Sequence, residues 1–471
     1  MISGILSVQN TMIFDLKNRS QNKFARKLAS SIIINQRGIY TRRNPSDNER
    51  LGLVHRLRTL LVLRALEISS TSPVSLHVQI QESRLRQLFA HMLTQSLYWK
   101  EYLTKSGIKD PRSVTLKALS SLPLVSKDEL RALNPQDLYI EGTGDVIHRT
   151  TTGTSGEPFP TQWDAQDFQQ WTPNYLRAIP KDIFPIGFDA LRRRFFVLLA
   201  GFNPTDWPLG HLAQIWDRKL ISSPHSHVVH GNSSGFEEFA AQNRPGKFPF
   251  AMLFAASERL DNTGRKKLEK YFNAPVRRCY AMRDCGWIAW GCGHEDDTLH
   301  INAERIILEI IDSETGKPVI DSPGEIVITI LDSWRMPRIR YRTGDIGILQ
   351  SAPCPCRITL PVIKFVGRAS EFLILPSGKK IPALQIQGAI WDIIMTARRI
   401  QIKQPTLEKI QVYLVPKSYL TPPDQILLAR LEKQLQKVLR EKISIEIHIT
   451  SEVPERKGDK RPFFVPMRHG N

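Results

Sequence analysis

The sequence predicts an α/β protein: a large N-terminal unit of α/β layers with a β-rich subdomain, followed by a smaller C-terminal α+β unit. Three patterns carry this expectation. Between residues 161 and 277 short apolar runs alternate with polar, helix-compatible stretches, the signature of a largely parallel sheet with crossover helices. Around residues 305–331 two β-rich runs flank the turn-forming Thr315-Gly316-Lys317-Pro318, which reads as a hairpin or barrel-like part. After Gly367 a hairpin, a strand, a helix and a second strand follow within about a hundred residues, a usual domain size.

Taken in order, residues 1–75 form a basic extension, with 12 Lys or Arg against four acids. It shows no secretory pattern, and its composition suits a basic tail or a transit segment alike. Within it, residues 54–66 carry apolar side chains at helical spacing and read as an ordinary surface helix. Residues 78–106 read as one amphipathic helix with Leu85, Leu88, Phe89, Met92 and Leu93 on a single face. Ser126 then offers an N-cap with Glu129 at the capping-box position. Residues 195–200 and 250–256 are buried-strand candidates, and 261–272 is helix-compatible. In the C-terminal unit, 373–375 and 380–382 flank a Pro-Ser-Gly-Lys turn, 411–415 is a strand, and 422–442 is a helix striped by Leu427, Leu431, Leu435 and Val438. Ile445, Ile447 and Ile449 alternate with polar residues as in a half-buried strand. The domain organisation expected is therefore 1–75 extension, 76–366 large unit, 367–371 hinge and 372–471 small unit.

Composition narrows the function. A chain of 471 residues with 41% hydrophobic content is long enough for two or three cored domains. Its longest apolar runs fall far short of the roughly 18 residues a spanning helix needs. Five cysteines do not make a disulfide scaffold and suit a reducing, cytoplasmic setting. The net charge of +19 invites a nucleic-acid partner. However, the basic runs at 192–194, 265–267 and 456–461 lack interleaved aromatic residues, so no specific nucleic-acid binding is expected.

The chemistry centres on residues 149–159, Arg-Thr-Thr-Thr-Gly-Thr-Ser-Gly-Glu-Pro-Phe. Gly153 and Gly156 let backbone N–H groups approach an anion, while Thr151, Thr152, Thr154 and Ser155 add hydroxyl donors. This is phosphate-loop chemistry without the Lys-Ser or Lys-Thr of a Walker loop, and the same composition also suits a solvated turn. Further motifs follow in order: Ser257-Glu258, Tyr280-Ala281-Met282-Arg283-Asp284, the stretch 336–347 (Met-Pro-Arg-Ile-Arg-Tyr-Arg-Thr-Gly-Asp-Ile-Gly), Gly367-Arg368-Ala369-Ser370-Glu371 and Gly458-Asp459-Lys460. Their order and spacing resemble the acyl-adenylate-forming superfamily. Leu122-Pro123-Leu124-Val125-Ser126-Lys127, Leu299-His300-Ile301 and Cys354-Pro355-Cys356 are similar to its phenylacetate-CoA ligase and CapK-like branch.

The resemblance implies a large adenylation domain with a mobile C-terminal lid, and it implies residue roles. Thr151, Thr152, Gly153, Thr154, Ser155 and Gly156 would hold the triphosphate, and Ser257 and Glu258 would line the adenine. Tyr280 would stack on the base, Asp345 would accept from the ribose hydroxyls, and Arg368 would contact the nucleotide near a hinge at Ser370. Lys460 would arrive on the small domain as the catalytic cation, with Thr152 and Asp284 also catalytic and Asp284 helping to hold Mg²⁺. The chain departs from the family at Arg283 and Asp284, where a hydroxyl is commonly followed by Glu. The implied activity is ATP-dependent adenylation of a small-molecule carboxylic acid, with coenzyme A as acceptor. An adenylyltransferase and a nucleotide-binding relative without catalysis are the alternatives, and the resemblance allows a homodimer. Separately, Cys292, His300, Cys354 and Cys356 offer a Cys3His set suited to tetrahedral structural zinc, with His294 and Cys285 in reserve and free thiols as the alternative.

Overall fold

The computed structural model describes residues 23–35, 53–140, 146–151, 159–164, 166–167, 170–179, 197–200, 227–242, 250–256, 260, 262–282, 284–294, 298–312, 315–368, 372–394, 397–416, 425–451, 453–454 and 463–467. Strands β1 (Val146–Thr151) and β2 (Phe159–Asp164) form an antiparallel hairpin. Strands β3 (Val197–Ala200), β4 (His227–Asn232), β5 (Phe250–Ala256), β6 (Val276–Met282), β7 (Gly286–Trp290), β8 (Thr298–Ile301), β9 (Ile306–Ile311), β10 (Gly324–Ile330), β11 (Tyr341–Gln350) and β12 (Val362–Arg368) build one sheet, in the order β3-β4-β5-β6-β7-β8-β12-β11-β10-β9.

The sheet changes character at β6. From β3 to β6 the neighbours are parallel, as the alternating sequence predicts, and from β6 to β9 they are antiparallel. A parallel sheet is covered on both faces, so its strands read as near-continuous apolar runs. In β5, Met252, Leu253, Phe254, Ala255 and Ala256 are all buried. The helices Ser233–Gln242 and Asn262–Phe272 cover one face through Phe236, Phe239, Leu268 and Phe272. The other face packs Phe254 against Tyr175 of the helix Trp171–Arg177 and Trp287 of β7. The expected hairpin is the antiparallel pair β9–β10, Ile326 opposite Ile310.

Two helical expectations change. Residues 78–106 form two helices, Val74–Gln95 and Leu97–Lys105, because Ser96 turns extended (φ −141°, ψ 128°) and its side chain accepts from the Trp99 N–H at 3.2 Å. Serine caps a helix more favourably than it sits inside one, and this local bond outweighs the continuing apolar spacing. The helix Leu53–Ser69 is no mere surface element. Val62, Leu63, Ala65 and Leu66 are fully buried, and Leu63 joins Tyr175 and Trp287. The capping box at Ser126 and Glu129 forms as expected and starts the helix Lys127–Ala132.

Beyond residue 371 the chain builds the hairpin β13 (Phe372–Ile374)–β14 (Lys380–Pro382) and a four-stranded sheet. Its strands β15 (Ala397–Thr406), β16 (Lys409–Pro416), β17 (Ser444–Ile449) and β18 (Phe464–Val465) lie in the order β17-β16-β15-β18. Leu431, Leu435 and Leu439 of the helix Gln425–Leu439 bury against Ile402, Ile410 and Val412, each side chain contributing about 1.5–3 kcal/mol. Among the described residues no helix is long and apolar enough to cross a membrane.

Candidate active site

The β1–β2 hairpin pairs Thr151 with Phe159, the residues at the two ends of the hydroxyl- and glycine-rich stretch. Thr152, Gly153, Thr154, Ser155 and Gly156 lie outside the described residues, as do Ser257, Glu258, Arg283, Ser370 and Lys460. The remaining predicted residues come together. Asp345 and Arg368 are opposite partners in the β11–β12 ladder, and Arg368 Nε reaches Asp345 Oδ1 at 3.3 Å. Tyr280, from β6, donates its hydroxyl to Asp345 Oδ2 at 2.7 Å, and its ring lies 5.1 Å from that of Phe365 on β12. Asp284 follows β6 and is 3% exposed, and it accepts from Tyr341 Oη on β11 at 2.9 Å.

Burial, reinforced by the facing carboxylates, holds both phenols above their usual range, so Tyr280 and Tyr341 remain hydrogen-bond donors throughout the physiological pH range. Gly286 fixes the turn after Asp284. Its φ is +72°, and a Cβ there would lie 2.7 Å from the Trp171 ring.

Two residues of this site had no assigned role in the sequence. Lys127, the first residue after the Ser126 cap, places Nζ 5.4 Å from the centre of the Phe159 ring. Burial draws its ammonium below the usual value, while the nearby Asp284 charge opposes that shift. Its only advance signal was membership of the stretch 122–127. Tyr341 lies just ahead of Asp345, and its strand is fastened from outside the sheet: Val125 N donates to Arg340 O at 3.0 Å and Arg342 N to Val125 O at 2.8 Å. A cation, two carboxylates, a guanidinium and two phenols thus converge beside the hairpin whose ends, Thr151 and Phe159, bound the hydroxyl- and glycine-rich stretch of the sequence. Such a set can bind a polar, anionic ligand with hydroxyl groups.

The four candidate metal ligands also meet. One ligand atom each from Cys292, His300, Cys354 and Cys356 lies within 4.8 Å of the others. Cys292 Sγ and Cys354 Sγ are 3.6 Å apart, and Cys356 Sγ is 3.2 Å from His300 Nε2. Thiolates around a tetrahedral zinc with bonds of about 2.3 Å would stand about 3.8 Å apart, so the donor set has the right chemistry and nearly the right size. His300 Nδ1 faces Leu360 O at 3.4 Å, which orients the ring so that Nε2 serves the cluster. Burial opposes ionisation of Cys292, but hydrogen bonds from His300 and the backbone at His294 outweigh it and bring that thiol down to about 6. Cys285 stands apart, buried beside Asp284.

No protein-family profile matches the chain. Among curated proteins it is 21% identical over 357 residues to a phenylacetate-coenzyme A ligase of Thermus thermophilus, covering 71% of this chain and 80% of the relative. It is 21% identical over 411 residues to a phenylacetate-coenzyme A ligase of Pseudomonas putida (82% and 92% covered), and 19% identical over 417 residues to the protein CapK of Staphylococcus aureus (82% and 88%). Among solved structures, 2-hydroxyisobutyryl-CoA ligase in the postadenylation state with R3-HIB-AMP superposes with a TM-score of 0.68 at 16% identity, covering 85% of this chain and 91% of that one. The same ligase with 2-HIB-AMP and CoA in the thioesterification state gives a TM-score of 0.55 at 18% identity, covering 85% and 92%. The chain is therefore similar along most of its length to phenylacetate-coenzyme A ligases and to CapK, and it shares the fold of an acyl-CoA ligase caught after adenylation.

Proposed function

We propose that the chain uses ATP to convert a carboxylic acid into its acyl-AMP, releasing pyrophosphate, and then transfers the acyl group to coenzyme A. The observation that carries this reading is the convergence of Asp345, Tyr280 and Arg368, with Asp284 and Lys127 beside them, next to the hairpin joined by the hydroxyl- and glycine-rich loop. Asp345 accepts from the ribose hydroxyls in place of its present partners, and Tyr280 lies along the base. Donors of the loop 151–156 receive the phosphates, where their preorganised dipoles stabilise the negative charge that develops as pyrophosphate departs. Lys460, delivered by the small unit, neutralises the charge shared by the attacking carboxylate and the α-phosphate.

Magnesium keeps several waters and needs only one or two carboxylates besides the phosphates, so the single buried Asp284 suits it. When bound it screens the triphosphate charge. The separate sheet and hydrophobic cluster beyond residue 371 support a small domain that turns about 367–371, clearing Lys460 for the thioester step. Zinc in the Cys3His cluster is structural, tying the connection between β11 and β12 to β8 and the end of β7. Five cysteines, three of them gathered for a metal and Cys279 and Cys285 left as thiols, suit a reducing, cytoplasmic setting.

Mass spectrometry of reactions with ATP, Mg²⁺, coenzyme A and a panel of acids tests this directly. An acyl-CoA product formed with stoichiometric AMP is expected. AMP attached to another acceptor, with no thioester, would overturn the second half-reaction.

A further inference from the structure

Two segments of the site share one spacing. Residues 280–284 and 341–345 each run Tyr-x-x-x-Asp, and the structure crosses them. Tyr280 of the first donates to Asp345 of the second at 2.7 Å, and Tyr341 of the second donates to Asp284 of the first at 2.9 Å. All four side chains are buried. In strand order β7, β8 and β12 separate β6 from β11, so this exchange is no by-product of ladder pairing. Tyr341 is also well held, because the Val125 bridge fixes the backbone on both sides of it.

A buried carboxylate without its donor turns to whatever cation is near, here Lys127, and a turned carboxylate no longer presents the oxygen a metal needs. We propose that Tyr341 is a positioning residue that aims Asp284 at the divalent cation, and that the crossed phenols couple Asp284 to the ribose-binding Asp345 as one unit. This rests on the nucleotide-binding reading above.

Calorimetric titration of AMP without metal and of ATP with Mg²⁺, on the wild type, Tyr341→Phe, Tyr280→Phe and the double variant, separates the roles, with thermal melts in parallel. Tyr341→Phe is expected to lose about tenfold or more in Mg-ATP affinity, as removal of a hydrogen bond behind a metal ligand typically does, while AMP binding stays within about twofold. Tyr280→Phe is expected to weaken AMP as well, and the double variant to depart from the product of the single losses, as residues that act within one unit do. Wild-type Mg-ATP affinity in Tyr341→Phe, or equal losses for AMP and Mg-ATP, would overturn the proposal, since a purely structural role moves both ligands together. Should Tyr341→Phe not fold, Asp284→Asn keeps an acceptor for the phenol and removes the charge. It must show the same metal-selective loss, and wild-type Mg-ATP binding by it would likewise refute the assignment. A wild type that binds neither AMP nor ATP would instead refute the nucleotide-binding reading beneath it.

Discussion

Replacing Arg177 by Met removes the cation from a buried polar knot behind the site. Arg177 and Glu304 pair at 2.8 Å with side chains 2% and 1% exposed, and the guanidinium also donates to Ser70, Asn174 and Asn302. The knot joins the helix Trp171–Arg177, the turn between β8 and β9 and the end of the helix Leu53–Ser69. Breaking a buried pair by removing one partner costs about 3–5 kcal/mol, because the other charge stays buried without compensation. At about 2 °C per kcal/mol for a unit of this size, Arg177→Met should melt about 6–10 °C below wild type at neutral pH.

The pH dependence gives the sharper check. Burial opposes ionisation of Glu304, but Arg177 and His77 outweigh it and hold its carboxyl below the usual value. In the wild type this stabilisation is present above the ordinary carboxylate pKa and fades as pH falls through the depressed native value. In Arg177→Met the largest charge opposing burial is gone, leaving His77 and the backbone against it, so the Glu304 pKa rises relative to wild type and the variant regains stability as acid neutralises the carboxyl. The melting deficit should therefore shrink from pH 7 towards about pH 4, and Arg177→Met/Glu304→Gln should recover much of it at pH 7. Calorimetry across that range is the assay. A deficit that is absent at pH 7, or that grows on acidification, would refute the reasoning.

Three further outcomes follow from the same geometry. Gly286→Ala forces a Cβ to 2.7 Å from the Trp171 ring at a φ of +72°, so it should destabilise by about 1–3 kcal/mol or more and displace Asp284, visible as a lower melting point with weaker Mg-ATP binding. Purified protein should carry a single zinc ion per chain by elemental analysis. Cys356→Ser should lose it, and a chelator should increase proteolysis between residues 351 and 361, where Thr359 N now donates to Ser70 O at 2.8 Å. Ser126→Ala removes one arm of the capping box, so it should cost about 1 kcal/mol and loosen Lys127, read as a modest loss of ATP affinity.

What the sequence made legible was local, or carried by residue type. The capping box at Ser126 and Glu129 joins residues three apart, and the β9–β10 pair follows from two β-rich runs on either side of a turn signal. The Cys3His set was legible as ligand chemistry, although its assembly depends on β8 pairing with β12 to bring His300 towards Cys354 and Cys356. The break at Ser96 was hidden because Leu97 and Leu103 extend the apolar stripe beyond it. Lys127 was hidden for another reason, since a lysine after a cap is usually solvated and only the tertiary fold sets it against Phe159 and Asp284. The Tyr341–Asp284 bond joins residues 57 apart through strands that do not pair, a contact no local propensity encodes.

The most direct test of the adenylation chemistry is ATP–pyrophosphate exchange with a panel of aryl, fatty and amino acids, on wild type beside Asp345→Ala and Lys460→Ala. Exchange supported by one class of acid and abolished in both variants is the predicted result, and it would also identify the substrate class. ATP binding with no exchange for any acid would contradict it and leave the chain a nucleotide-binding relative without the ligase reaction.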